Sequence, residues 1–187
     1  MSAFLISTGT VALAEIGDKT QLLALMLAAR YRRPWPIVAG ITVATVLNHA
    51  LAAALGDWLS TVLTPEMLRW IVAASFLAVA LWTLKPDTLD EGDAKAARYG
   101  AFFATTIAFF IAEIGDKTQV ATVLLAVRFH DFWWVVAGTT VGMLLANVPV
   151  VLLGSRFADR LPLKAARLTA AAVFAALGLW ALFVGIG

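Results

Sequence analysis

The heptapeptide Glu15-Ile16-Gly17-Asp18-Lys19-Thr20-Gln21 stands inside a long apolar stretch and recurs unchanged at residues 113–119. Each copy places two carboxylates and a lysine in a segment that is otherwise suited to lipid. Ionisable groups at membrane depth are costly and usually have a function. The doubled heptapeptide therefore carries information about both the fold and the site.

The composition is that of a membrane protein. Of 187 residues, 61% are hydrophobic and 14% are charged, whereas soluble domains are roughly half apolar and a quarter charged. The sequence contains no cysteine and only two histidines, which excludes thiolate metal sites and His-rich zinc sites. It also lacks the clustered basic surface that nucleic acid requires and the P-loop that would bind a nucleotide.

Six apolar runs are long enough to cross a bilayer, which takes about 20 helical residues. They cover residues 3–29, 36–56, 67–84, 99–127, 133–154 and 167–186. Most of the seven tryptophans stand near the ends of these runs, as in an interfacial aromatic belt. The predicted fold class is an all-α polytopic membrane protein with six transmembrane helices.

The chain matches itself at an offset of 98 residues. Residues 3–84 align with 101–182 without a gap, and 32 of the 82 pairs are identical, Arg30/Arg128 and Trp82/Trp180 among them. Such register indicates a tandem duplication of a three-span unit. Because three is odd, the second copy enters the membrane from the opposite side. We therefore predict two inverted three-helix repeats, residues 1–84 and 99–187, joined by an acidic cytoplasmic linker, 85–98.

The loop charges set the orientation. Under this topology the loops 30–34, 85–98 and 156–167 share one face, and ten of the 14 lysines and arginines lie there. The positive-inside rule makes that face cytoplasmic and both termini extracytoplasmic, in a plasma membrane. Inverted repeats are the architecture of many secondary transporters.

Both motifs fall near the midpoints of their runs, so their carboxylates are expected at mid-depth. On a continuous helix Glu15 and Asp18 would be i,i+3 neighbours on one face, while Gly17 would allow close backbone approach or local unwinding. The inverted arrangement would bring them towards Glu113 and Asp116. Four buried carboxylates repel one another unless cations or protons compensate. Oxygen ligands suit hard or borderline divalent ions such as Ca²⁺, Mg²⁺ and Mn²⁺.

Other polar groups near the motifs are candidates for supporting ligands or pathway residues. They are Gly17, Gly115, Thr20, Thr118, Gln21, Gln119, Asn48 and Asn147. Interhelical hydrogen bonding is the alternative role for the threonines, glutamines and asparagines. Lys19 and Lys117 are predicted counter-charges of the empty site; alternatively they snorkel away, or they form buried salt bridges that lock helices together. His49 is most simply a packed or interfacial residue, with a proton relay as the alternative.

Two E-x-G-D-[KR]-[ST] motifs in a duplicated six-span chain resemble the GDT-one family, called uncharacterised family sixteen in older naming. That family includes bacterial manganese exporters of the MneA type and Golgi manganese/calcium transporters. The resemblance covers essentially the whole chain, and the family motif falls on Glu15, Gly17, Asp18, Lys19, Thr20, Glu113, Gly115, Asp116, Lys117 and Thr118. It implies divalent cation transport, with Mn²⁺ and Ca²⁺ as substrates and proton exchange as the coupling.

Together these features predict a secondary-active transporter that exports Mn²⁺ in exchange for H⁺. Its partners would be the lipid bilayer and divalent cations, with no resident cofactor, nucleotide or nucleic acid. The alternatives are a Ca²⁺/H⁺ exchanger of the same fold, a passive divalent cation channel, and a membrane enzyme that uses the acids for metal-assisted hydrolysis. No nucleophile or substrate-binding cluster supports the enzyme, so enzymatic activity is not expected.

Overall fold

The computed structural model describes residues 1–85, 100–154 and 163–184, and these residues form eight α-helices with no β-strand. In chain order the helices are α1 Ser2–Glu15, α2 Lys19–Tyr31, α3 Pro34–Val62, α4 Pro65–Thr83, α5 Ala101–Glu113, α6 Lys117–Phe129, α7 Phe132–Leu153 and α8 Leu163–Val184. The all-α prediction is confirmed for this part of the chain.

The helices of the second half follow those of the first at the same 98-residue offset. The ends of α2 and α6 illustrate the match. Each helix is followed by a residue in the left-handed conformation, Arg32 (φ 51°) or His130 (φ 49°), whose N–H donates to a carbonyl in the last turn. This is a usual way to end a helix. Equivalent sequence positions therefore end equivalent helices.

Three described helices are long and apolar enough by themselves to cross a bilayer: Pro34–Val62, Pro65–Thr83 and Phe132–Leu153. Three shorter helices are also apolar: Ser2–Glu15, Ala101–Glu113 and the Leu168–Val184 part of α8. The three long helices coincide closely with three of the predicted runs, 36–56, 67–84 and 133–154.

Each motif interrupts the helix that carries it. α1 ends at Glu15 and α2 begins at Lys19, and α5 and α6 are separated at the equivalent place. Gly17 and Gly115 have φ of +84° and +74°, in the left-handed region that interrupts a helix and that glycine adopts most readily. Glu15 and Asp18 are therefore not i,i+3 neighbours on one helix face. Of the two roles considered for Gly17, close backbone approach and local unwinding, the structure shows local unwinding.

The two long helices α3 and α7 hold the interrupted helices in place. α3 packs along α5 and α6, α7 packs along α1 and α2, and α3 and α7 pack against each other. α4 pairs with α8, where the rings of Phe76 and Phe174 stack with centroids 6.3 Å apart. Both motifs are thus carried by helices that lie against the central α3–α7 pair.

Close backbone approach fixes α1 against α7 and α5 against α3. A Cβ on Gly138 would lie 2.6 Å from the carbonyl oxygen of Phe4, and one on the equivalent Gly40 would lie 2.8 Å from that of Phe102. Small residues permit such contact between helices in membranes. The same contact, made in each half, sets the position of the helix that ends at each glutamate.

The predicted linker 85–98 lies outside the described residues, apart from Lys85. The division into repeats 1–84 and 99–187 stays a prediction. Of the predicted loop 156–167, residues 163–167 belong to α8.

Replacing Gly138 with alanine is expected to lower the stability of the protein by about 1–3 kcal/mol, because the new methyl group forces α1 and α7 apart. The matched control is Gly9→Ala in α1, where no heavy atom of the described residues lies within 4 Å of the added Cβ. There the better helix propensity of alanine should leave stability equal or higher. Thermal unfolding of the purified protein in detergent measures both, and equal melting temperatures would contradict the packing argument.

Candidate metal centre

The two helix breaks are braced in the same way. The N–H of Gly17 donates to Oε1 of Gln21 over 2.9 Å, and the N–H of Gly115 donates to Oε1 of Gln119 over 2.7 Å. A backbone amide released from a helix in a low-dielectric interior needs a substitute partner. Gln21 also donates through Nε2 to the carbonyl of Ala146 in α7, over 3.0 Å. These contacts favour the hydrogen-bonding role of the glutamines.

Each motif threonine orients the glutamate on the other side of its own break. Thr20 Oγ1 donates to Glu15 Oε2 over 2.5 Å, and Thr118 Oγ1 donates to Glu113 Oε2 over 3.0 Å. Both glutamates are fully buried, and their Oε1 atoms have no hydrogen-bond partner among the described residues. Buried acceptors without a partner are rare in folded proteins, so these two oxygens are candidates for binding a proton or a cation.

Three carboxylates from the two motifs meet in one buried cluster. Glu15, Glu113 and Asp116 each place an oxygen within 4.8 Å of the oxygens of the other two. Like charges at this spacing in a buried site are unfavourable unless a cation or protons intervene. Carboxylate oxygens are the ligands that hard divalent cations prefer. The structure therefore brings together three of the four predicted metal residues.

The fourth carboxylate, Asp18, takes part in a crosswise ion pair. Lys117 Nζ lies 3.6 Å from Asp18 Oδ1, and Lys19 Nζ lies 3.6 Å from Asp116 Oδ1. Each lysine thus pairs with the aspartate of the other motif, an arrangement that the sequence did not specify. Lys117 is 3% exposed and Lys19 21%. The positions of both lysines fit counter-charges of the carboxylate cluster and equally fit a lock between the two halves.

The two predicted asparagines stand in different surroundings. Asn48 Nδ2 donates to the carbonyl of Phe110 in α5 over 3.1 Å, which is interhelical hydrogen bonding. Asn147 in α7 lies beside the carboxyl group of Glu15. Its repeat counterpart is His49, a fully buried ring whose nitrogens have no hydrogen-bond partner in the described part of the chain. Asn147 is therefore the asparagine that borders the cluster.

Trp82 borders the site, although its position in the sequence indicated only a residue of the interfacial aromatic belt. The ring of Trp82 lies 5.8 Å from Lys117 Nζ, close enough for a cation–π contact. The only sequence signal was the match of Trp82 with Trp180 at the repeat offset. That match marked a constrained position without revealing its contact.

A family model described as divalent cation/proton antiporter GDT1 matches residues 3–91 and 101–186, and each matched stretch contains one motif. The "Putative manganese exporter" of Vibrio cholerae is 55% identical over 175 residues, which cover 93% of this chain and 87% of the relative. A GDT1-like protein of Synechocystis is 27% identical over 195 residues, which cover 93% of each chain. The "Divalent cation/proton antiporter GDT1" of Saccharomyces cerevisiae is 22% identical over 227 residues, covering 93% and 81%. No solved structure gives a significant match.

The crosswise ion pairs predict which second substitution restores stability after one lysine is replaced. Lys117→Met removes the ammonium group next to Asp18 and is expected to cost about 3 kcal/mol of stability, as when a buried pair loses one partner. Adding Asp18→Asn should restore part of this loss, because the remaining charge is then removed. Adding Asp116→Asn should restore less, because it relieves repulsion within the cluster but leaves Asp18 without its partner and deprives Lys19 of its own.

Thermal unfolding in detergent without divalent cations compares the three proteins. Equal rescue by the two aspartate substitutions would show that the pairs are not crosswise.

Proposed function

Because the chain belongs to the divalent cation/proton antiporter family GDT1, we propose that it is a bacterial inner-membrane transporter that exports Mn²⁺ in exchange for H⁺. The family match confirms the resemblance drawn from the two motifs. It makes the chain a multi-pass membrane protein of a transporter family, with divalent cations as substrates. The choice of Mn²⁺ is supported by the 55% identical Vibrio cholerae relative, whose name assigns manganese export.

The observation that carries the proposal is the buried cluster of Glu15, Glu113 and Asp116. We assign these three as ligands of the transported ion, with Asp18 joining them when Lys117 is displaced. The orphaned Oε1 atoms of the glutamates and the buried Oδ1 of Asn147, which has no hydrogen-bond partner among the described residues, are free to face an ion. Oxygen-only ligands suit Mn²⁺ and Ca²⁺ alike, so a Ca²⁺/H⁺ exchanger is the second candidate.

The formal charges of the site suggest how ions and protons exchange. The motifs supply four carboxylates and two lysines, which leaves a charge of −2 when all six groups are ionised. A net buried charge is expensive in a membrane. One Mn²⁺ neutralises it in the loaded site, and two protons neutralise it in the empty site. We therefore expect two protons to exchange for one Mn²⁺, without net movement of charge.

In this proposal the six predicted spans form two inverted repeats. α1 with α2 makes one span, α5 with α6 makes its counterpart, and α8 is the sixth. Support comes from the close contact that α1 makes with α7 and that α5 makes with α3. Interrupted helices that meet at mid-depth are typical of transporters whose halves rock around a fixed site. The arginine-rich loops would face the cytoplasm and both termini the outside.

Glu15→Gln and Asp116→Asn are each expected to abolish most Mn²⁺ transport. The loss should be at least the roughly 10- to 100-fold seen when even an outer partner of a metal ligand is removed. The matched control is Glu66→Gln, an exposed carboxylate at the start of α4, which should keep the wild-type rate. Uptake into proteoliposomes and direct Mn²⁺ titration of the purified protein test the claim, and wild-type rates in both site variants would refute it.

The direction of the driving force separates the antiporter from a passive channel. A proton gradient alone should drive Mn²⁺ uphill in proteoliposomes, into the more acidic compartment, as protons leave that compartment down their gradient. A potassium diffusion potential of either sign should change the rate little, because the exchange carries no net charge. A channel gives the reverse, with fluxes that follow the potential and ignore the pH gradient. Competing Ca²⁺ in the same assay ranks the two substrates.

A further inference from the structure

Trp82 and Trp180 occupy the same position in the two halves, yet they contact different cations. The ring of Trp82 in α4 lies 5.8 Å from Lys117 Nζ, while the ring of Trp180 in α8 lies 4.4 Å from Cζ of Arg128. If the halves were arranged alike, the partner of Trp82 would be Arg30, the counterpart of Arg128. Both halves contain the same tryptophan, lysine and arginine, but Trp180 contacts an arginine and Trp82 contacts a lysine.

The helices around these tryptophans differ in the same sense. α4 packs against α6, whereas their counterparts α8 and α2 are not among the helix pairs in extensive contact within the described residues; α8 packs on α1 instead. A Cβ on Gly56 of α3 would lie 2.5 Å from the carbonyl of Val123 in α6. At the equivalent Gly154 no heavy atom of the described residues lies within 4 Å. Among the described residues, α6 is therefore more closely enclosed than α2.

The exposure of the two arginines agrees with this difference in packing. Arg128 is half-buried and Arg30 is exposed. By contrast, each arginine also lies over the aromatic residue next to it, Phe129 at 5.6 Å and Tyr31 at 5.8 Å. The local structure at the ends of α2 and α6 is thus the same, and the difference lies in the contacts that the neighbouring helices make with them.

We propose that Trp82 and Trp180 determine which face of the membrane has access to the carboxylate cluster, an inference that rests on the proposed transport function. In the present structure Trp180 on Arg128 closes the end of α6. In the second state, called the exchanged state, each half adopts the arrangement that the other half has in the present structure. Trp82 then lies over Arg30 and closes the end of α2, while Trp180 lies over Lys19. Under the predicted topology the present state is closed to the outside and accessible from the cytoplasm.

The tryptophan, lysine and arginine positions are identical in the two halves. Each arrangement therefore forms one tryptophan–arginine contact and one tryptophan–lysine contact, in place of those that the other arrangement loses. Each arginine, however, partners a tryptophan in only one of the two states. Removing Arg128 should therefore favour the exchanged state, and removing Arg30 should favour the present one. A cation–π contact accounts for a shift of about three- to tenfold in the ratio of the states.

Cross-linking tests this directly, because the chain has no cysteine of its own. One variant carries Arg128→Cys with Trp180→Cys, and the other carries Arg30→Cys with Trp82→Cys. Both pairs are expected to react with a short, reducible bifunctional thiol reagent in membranes free of Mn²⁺. Arg128→Ala should raise the yield of the second pair about three- to tenfold, and Arg30→Ala should raise that of the first.

Two controls accompany these pairs. Phe4→Cys with Trp134→Cys joins α1 to α7, where the rings lie 5.9 Å apart and where both halves pack alike. Its yield should not respond to either arginine substitution. Arg33→Ala, an exposed arginine in the loop after α2, should change none of the yields.

A second measurement covers the case in which a double variant fails to fold. Single cysteines at Ala28 of α2 and Ala126 of α6, which are counterparts, report access to a thiol reagent. Ala28 is half-buried and Ala126 fully buried, so Ala28→Cys should react faster. Arg128→Ala should lower this difference, because the exchanged state opens α6 and encloses α2.

The proposal is overturned if the Arg30/Trp82 pair never cross-links while the other two pairs do. It is also overturned if neither arginine substitution changes the yields or the labelling rates. These readouts need no Mn²⁺ flux. If the cysteine pairs cross-link as expected while the wild-type protein moves no Mn²⁺, the proposed function is contradicted and the exchange of arrangements stands.

Discussion

Two crosswise ion pairs, Lys19 with Asp116 and Lys117 with Asp18, join the halves of this protein at its most charged point. A buried carboxylate is tolerated only when a cation or a proton accompanies it. Each motif brings two carboxylates and one lysine, and each lysine reaches across to the other motif. Neither half can therefore neutralise its charges as the structure does without the other half in place. The cluster of three carboxylates depends on these crosswise ion pairs.

The helix breaks make this crosswise pairing possible. On a continuous helix the aspartate and the lysine would follow the glutamate around the same helix. With Gly17 and Gly115 in the left-handed conformation, the glutamate ends one helix and the aspartate precedes the next. The motif's own threonine and glutamine then bond across the gap. One heptapeptide thus contains the break, the groups that satisfy it and the charges that it presents.

The two halves differ in their packing although their motifs are nearly alike. The bonds within each break and the helix contacts at Gly40 and Gly138 recur in both halves. What differs is how α4 and α8, and the ends of α3 and α7, enclose the interrupted helices. A fixed centre surrounded by two unequal arrangements of equivalent parts is the geometry expected of a transporter that alternates between faces. The family to which the chain belongs is described as a divalent cation/proton antiporter.

The sequence by itself determined the membrane class, the correspondence of the two halves at an offset of 98 residues, and four carboxylates of which three meet in the site. These follow from composition, from hydrophobic run length and from identical residues in register, all of which are local or periodic properties. Only the tertiary structure decided that the motifs interrupt their helices, that the lysines pair crosswise, and that Trp82 and Trp180 have different partners. A run of apolar residues looks the same whether a glycine within it is helical or left-handed. The partner of a long charged side chain depends on which helices pack together, and neighbours along the chain do not specify that packing.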